Sequence, residues 1–255
     1  MENKPFIDFQ GKKVVVTGAS SGIGRAICIE LSKFGASLVL IGRDNDRLNE
    51  TAALLGASQY YIMQMDLNDL ASISPKIREF AQDHGKIYGF CHCAGVDDTR
   101  PLSSYKIEIL RSMLDINLVA GIELCRVLCR RDVMEDTGGS ILFVSSIAAN
   151  VGIPGRVGYS ATKGGLISAA RSMAVELAKR KIRVNTISPG LIHTSMTDGA
   201  LSKLTSDQIR DIEESHPLGI GTPQDVARGA VFLMAPQSGW ITGMDLIIDG
   251  GYTAK

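Results

Sequence analysis

Lys13-Val-Val-Val-Thr17, followed by Gly18-Ala-Ser-Ser-Gly22-Ile-Gly24, is the stretch on which the fold turns. Valine and threonine are β-branched and suit a strand, and a run this continuously apolar suits one covered on both faces. Glycines 18, 22 and 24 let the backbone turn sharply, and the periodic segment 23–34 then predicts a helix. A strand that passes through a glycine-rich turn into a helix aims the first free N–H groups of that helix at one spot, which suits a dinucleotide pyrophosphate. The spacing is G-x-x-x-G-x-G rather than the commoner G-x-G-x-x-G, and a tight turn alone would also use glycine. A second strand about 20 residues on supplies the supporting context. Gly18, Ser20, Ser21, Gly22, Ile23 and Gly24 are therefore expected at a cofactor site.

The alternation of strand and helix signals continues along the chain. Residues 37–42, 60–66, 87–93, 140–145, 183–188 and 244–248 read as further strands. Segments 45–55, 70–83, 104–134, 158–181 and 223–234 carry helical periodicity. Such a pattern implies right-handed βαβ crossovers. The expected fold is α/β, a single doubly wound Rossmann-type domain over residues 1–255, with a parallel seven-stranded sheet and helices on both faces.

Composition removes several classes. The 27 Lys plus Arg balance 27 Asp plus Glu, which argues against a strong pull toward nucleic acid or an anionic membrane. Aromatic residues are 5 % of the chain, too few for base-stacking platforms. Five cysteines, an odd number without disulfide-like spacing, and residues 1–10 without a signal-like apolar run predict a reduced, cytoplasmic protein. Cys91-His92-Cys93 with Cys125 and Cys129 match no structural zinc spacing, so no metal is expected.

Two helical segments point to self-association. Within 104–134, the apolar residues of 110–128 cover most of the circumference, and 158–181 is rich in small residues such as Gly164, Gly165, Ala170 and Ala174. A homotetramer or homodimer through these segments is expected, with a thick core as the alternative.

The second strand ends Ile41-Gly42-Arg43-Asp44. An NAD site usually has Asp or Glu at this strand end to hold the ribose 2′-hydroxyl. Gly42 takes that place here, and the Arg43 guanidinium suits a 2′-phosphate, so NADP(H) is expected over NAD. Asp44 remains an alternative ribose contact.

Tyr159 and Lys163, at i and i+4, share one helix face. A phenol is a poor base at neutral pH, and a nearby cation lowers its pKa by favouring the phenolate. Upstream, Ser146 ends a strand where its hydroxyl can meet a substrate oxygen. Asn117 sits within a long apolar helix, an awkward place for an amide without a task. Each alone has an ordinary structural explanation; the ordered set does not.

With Asp66-Leu67, Ala94-Gly95, Pro189-Gly190, Thr194 and the C-terminal Ile241-Thr-Gly243 and Asp249-Gly-Gly251, this set resembles the short-chain dehydrogenase/reductase family over residues 11–252, closest in pattern to its 3-oxoacyl-acyl-carrier-protein reductase branch. The resemblance implies that Tyr159 is the general acid/base, that Ser146 polarises the carbonyl or alcohol, and that Lys163 binds the nicotinamide ribose and lowers the Tyr159 pKa. It implies a relay water at Asn117, adenine at Asp66, and backbone contacts from Leu67 and Cys93, with Ala94 and Gly95 beside the cofactor. Pro189, Gly190, Ile192 and Thr194 would then hold the nicotinamide end. His92-Cys93 replaces the family's usual Asn-Asn, which predicts a less rigid strand end. His193 is a lesser candidate for touching substrate.

Residues 191–220, with Leu201, Leu204, Ile209 and Ile212 as an apolar stripe, resemble the family's substrate lid. The expected partner is a small carbonyl or alcohol. An acyl substrate on a carrier protein is the alternative, weakened by Glu135 and Asp136 and partly restored by Lys179, Arg180 and Lys181. A silent dinucleotide sensor would have lost Tyr159 or Lys163, and both are present.

Overall fold

The computed structural model describes residues 6–202 and 205–254. Within them β1 (Lys13–Thr17), β2 (Ser37–Gly42), β3 (Tyr60–Gln64), β4 (Gly89–His92), β5 (Gly139–Val144), β6 (Ile182–Pro189) and β7 (Asp245–Ile248) form one sheet in the order β3-β2-β1-β4-β5-β6-β7. Every pairing is parallel.

Alternation along each strand divides the core in two. Val14 and Val16 join one cluster with Leu38, Leu40, Leu142 and Val144, while Val15 joins the other with Val39, Ile41, Ile141 and Phe143. The first cluster is covered by α1 (Gly22–Lys33), α2 (Asn45–Ala52) and, late in the chain, α9 (Pro223–Met234). The second is covered by α3 (Leu70–His84), α5 (Ala120–Leu128) and α6 (Val157–Leu177). The strand order reverses between β1 and β4, and the crevice above their carboxyl ends is where a doubly wound sheet takes its ligand. Among the described residues no helix is long and apolar enough to cross a membrane.

Three expected elements are corrected. The helix 104–134 is broken into a 3₁₀ turn (Leu102–Ser104), α4 (Ile107–Leu114), a π-helical turn (Asp115–Val119) and α5. The cause is Asn117, fully buried, whose amide Nδ2 donates to Val96 O (2.9 Å) and Thr162 Oγ1 (3.1 Å) while Oδ1 accepts from Val96 N (2.7 Å). Holding that amide on the neighbouring loop widens the helix locally, as π-turns at functional sites do. The strand 87–93 is shorter, starting at Gly89 and ending at His92. Its end is set by Thr17 Oγ1, which accepts from Cys93 N and Ala94 N, both at 3.2 Å, and draws those N–H groups off the ladder. The helix 158–181 stops at Leu177 and closes in a 3₁₀ turn, with Lys181 left-handed at φ 55°.

Between β6 and α9, α7 (Ser195–Leu201) and α8 (Ser206–Glu214) occupy the segment expected as a lid. Leu201, Ile209 and Ile212 of its stripe are half-buried; Leu204 lies outside the described residues.

Candidate active site

The turn after β1 is a cradle with no room for a side chain at Gly18 or Gly24. Gly18 has φ +65°, and a Cβ there would lie 2.9 Å from Ala94 N. A Cβ on Gly24 would lie 2.3 Å from Gly18 O. Two backbones thus meet at van der Waals contact, and the N-terminus of α1 opens beside them. The resulting cleft encloses about 350 Å³, within the range of small-molecule sites. Ser20, Ser21, Gly22 and Ile23 line it at the pyrophosphate end, and Arg43, Asp66 and Leu67 line the far end. Cys93, Ala94 and Gly95 form its floor, and Pro189, Gly190, Ile192 and Thr194 its other wall. These residues fit a dinucleotide, because bare backbone faces the position of the phosphates. Sequence reading missed Arg47, Asn68, Val96, Ile116, Ser145 and Thr197, which also line the cleft; none belongs to a spaced motif.

Asp44 is occupied elsewhere. Its Oδ1 accepts from Arg47 N (3.1 Å) as the N-cap of α2, whereas Arg43 is exposed at the cleft edge.

Tyr159, Lys163 and Ser146 meet on the wall of the same cleft. Lys163 is buried, its Nζ donates to Val144 O (2.8 Å), and it stands 5.6 Å from the centre of the Tyr159 ring. Ser146 begins a short 3₁₀ turn and its Oγ accepts from Ala148 N (3.2 Å). Asn117 does not line the cleft. It stands behind the floor, where its Oδ1 would be 3.2 Å from a Cβ on Gly95.

Burial dominates the electrostatics of both the phenol and the ammonium. Burial, and then the Asp97 carboxylate, push the Tyr159 phenol up to about 12, while Arg156 and the Ser146 hydroxyl pull the other way. Lys163 is itself brought down to about 8 by burial, against the charges of Cys93 and Asp97. The ammonium donates a hydrogen bond to Val144 O, and its burial disfavours the charged form.

The family of the chain follows from comparison with known proteins. The family described as enoyl-(acyl carrier protein) reductase matches residues 18–253. The 3-oxoacyl-acyl-carrier-protein reductase of Chlamydia pneumoniae is 34 % identical over 251 residues, 97 % of this chain and 99 % of that protein. Carbonyl reductase family member 4 of Xenopus tropicalis is 35 % identical over 241 residues, 94 % and 97 % of the two chains. The solved short-chain type dehydrogenase/reductase of Mycobacterium ulcerans has a TM-score of 0.90 at 28 % identity, covering 98 % of this chain and 92 % of that one. The chain belongs to the short-chain dehydrogenase/reductase family.

This short-chain dehydrogenase/reductase is an NAD(P)-dependent oxidoreductase of the CH–OH/C=O couple. Its strand end is held differently from the expectation of looseness at His92-Cys93. His92 is fully buried, its Nδ1 pairs with Thr17 Oγ1 (2.9 Å), and Nε2 has no hydrogen-bond partner. Burial and the Lys163 charge drive its imidazole down to about 3, so it is neutral packing against Gly121 rather than an acid or base. His193 is exposed, pairs with Asp198 (3.1 Å) and does not line the cleft. Cys125 and Cys129 face each other at 3.8 Å on the opposite side of the sheet from Cys28, and no group of three His, Cys, Asp or Glu gathers among the described residues.

One charged pair of this short-chain dehydrogenase/reductase escaped the sequence reading. Arg156 Nη1 donates to Asp97 Oδ2, and the same guanidinium sits 5.6 Å from the centre of the Tyr159 ring. Burial raises the Asp97 carboxyl above its usual range. Residues 97 and 156 are far apart in the chain, and no spacing rule links them.

Proposed function

We propose that this chain reduces a ketone to a secondary alcohol with NADPH, and runs the reverse oxidation, using Tyr159 as the general acid/base. The observation that carries the reading is the convergence of Tyr159, Ser146 and Lys163 on the cleft that the glycine cradle opens. The nicotinamide supplies or receives the hydride. Tyr159 Oη donates its proton to the carbonyl oxygen during reduction, and the Ser146 hydroxyl hydrogen-bonds that oxygen to hold it in place. Lys163 Nζ holds the ribose and carries positive charge next to the phenol. Asn117 fixes the π-turn behind the floor and so holds the proton path in register. The segment 191–220 closes over the substrate and keeps water out.

The burial of Lys163 gives this reading a pH signature. The group is charged below about 8 and loses its charge above. The kcat/KM of reduction, which reports the free enzyme, is expected to hold at neutral pH and decline above pH 8. A profile flat to pH 10 contradicts the role given to Lys163.

NADP(H) is the proposed cofactor because Arg43 stands at the cleft edge with no carboxylate in the usual ribose position. Arg43→Ala should raise the KM for NADPH about tenfold, the scale of one charge-assisted contact, and leave NADH nearly unchanged. A wild-type preference for NADH ends the assignment.

A carrier-bound 3-oxoacyl substrate is the second reading, favoured by the names of relatives such as the Chlamydia pneumoniae protein. Free ketones, keto-sugars and 3-oxoacyl thioesters with NADPH, followed at the nicotinamide absorbance, separate the two. No turnover of any of them supports a dinucleotide sensor instead. We place the protein in the cytoplasm as a homotetramer or homodimer through α4, the π-turn, α5 and α6, where Ile107, Val119 and Val175 are exposed apolar residues.

A further inference from the structure

Two thiols stand under the cleft and take no part in the mechanism above. Cys91 and Cys93, at i and i+2 of an extended chain, point to the same face, and their Sγ atoms lie 3.4 Å apart. They differ in surroundings. Cys91 is fully buried within β4, its backbone paired to Val16 and Leu142 on the two neighbouring strands. Cys93 is past the strand end, partly exposed, and lines the cleft.

We propose that Cys93 and Cys91 form a peroxide-sensitive dithiol that closes to a disulfide and takes the nucleotide cleft out of use, and that bound nucleotide shields it. The effect on nucleotide binding rests on the cofactor site proposed above; the thiol chemistry does not.

The chemistry needs one two-electron oxidant, a peroxide. The Cys93 thiolate attacks one peroxide oxygen, the O–O bond breaks, and the other oxygen leaves as water after taking a proton, giving a sulfenic acid on Cys93. Cys91 sulfur then displaces that hydroxyl, which leaves as a second water with the Cys91 proton. Two thiols lose two protons and two electrons in all, and the peroxide is reduced to two waters. Cys93 attacks first because it alone of the pair opens to the cleft, where a peroxide can reach it. Burial raises the Cys91 thiol well above its ordinary value, which suits the resolving partner rather than the attacking one.

Geometry supplies the consequence. Two residues of extended chain span about 6.6 Å between Cα atoms, near the upper limit for a disulfide. The sulfurs must close from 3.4 Å to about 2.05 Å, so the freer residue moves. Cys91 is locked in the sheet, whereas the Cys93 backbone is held by one N–H to Thr17 Oγ1 at 3.2 Å. Drawing Cys93 toward Cys91 pulls on Ala94, which lies against Gly18, and on Gly95 next to it in the cleft floor. There is no spare room at that contact, so the cradle deforms.

The test uses the full-length protein and hydrogen peroxide, with trypsin and mass spectrometry after alkylation of the remaining thiols. Residues 87–106 form one tryptic peptide, since Pro101 protects the Arg100 bond, and it holds these two cysteines and no other. Peroxide is expected to make that peptide two hydrogens lighter and closed to alkylation, and dithiothreitol to restore it. NADP+ at about 100 times its Kd should slow the conversion roughly 100-fold, because only the free protein reacts. The oxidised protein should lose NADPH binding, read by the nucleotide's fluorescence, and regain it on reduction. Cys91→Ala should leave NADPH binding intact and stop at the sulfenic acid. The proposal is overturned if Cys93 stays reduced while other cysteines oxidise, if Cys93 links to Cys28 instead, or if the oxidised protein binds NADPH as well as the reduced one. A protein that forms the disulfide yet never bound NADPH when reduced would refute the cofactor reading, not the dithiol.

Discussion

Tyr159→Phe should lower kcat by about 10³-fold while the Kd for NADPH stays within about twofold, the loss being that of one general acid. The ring is kept, so the cleft wall keeps its shape and only Oη is lost. Without it the carbonyl oxygen has the Ser146 hydroxyl to polarise it and no group with a proton to give. With its phenol held up near 12, Tyr159 is protonated throughout the neutral range, which suits donation during reduction. The reverse oxidation needs the phenolate and should climb with pH in the wild type. Stopped assays with saturating NADPH, beside a fluorescence titration of the nucleotide, separate chemistry from binding. A variant that keeps a tenth of the wild-type kcat would require another acid.

Gly24→Ala should abolish measurable NADPH binding, with a Kd raised at least about 100-fold, although the change adds one methyl group. The new Cβ would sit 2.3 Å from Gly18 O and 2.8 Å from Gly18 C. Both are backbone atoms, so no side chain can swing aside, and α1 must retreat from the turn whose N–H groups face the phosphates. Overpacking of this kind costs about 1–3 kcal/mol of stability, so the variant should fold with a lower Tm. Gly152→Ala is the control: nothing lies within 4 Å of a Cβ there, and binding should be unchanged. Equal affinities in the two variants would mean that the turn does not cradle the nucleotide.

Much of this site was legible because its information is local. The strand, turn and helix of residues 13–34 are consecutive, and Tyr159 and Lys163 share a face through helix periodicity alone. Asn117 stood out in the sequence as a misplaced amide, yet the helix break it causes did not, because its partners Val96 and Thr162 lie 21 and 45 residues away. The Asp97–Arg156 pair joins residues 59 apart. The end of β4 depends on Thr17, 76 residues earlier.

The sequence by itself determined the parallel sheet, the glycine cradle and the grouping of Tyr159 with Lys163, since strand alternation, helix period and the absence of Cβ atoms are written residue by residue. Only the tertiary structure decided the charge states. Burial holds the Tyr159 phenol high and the Lys163 ammonium low, and no residue spacing states how deeply either is buried. Desolvation depends on everything that surrounds a group, and surroundings exist only once distant segments have packed.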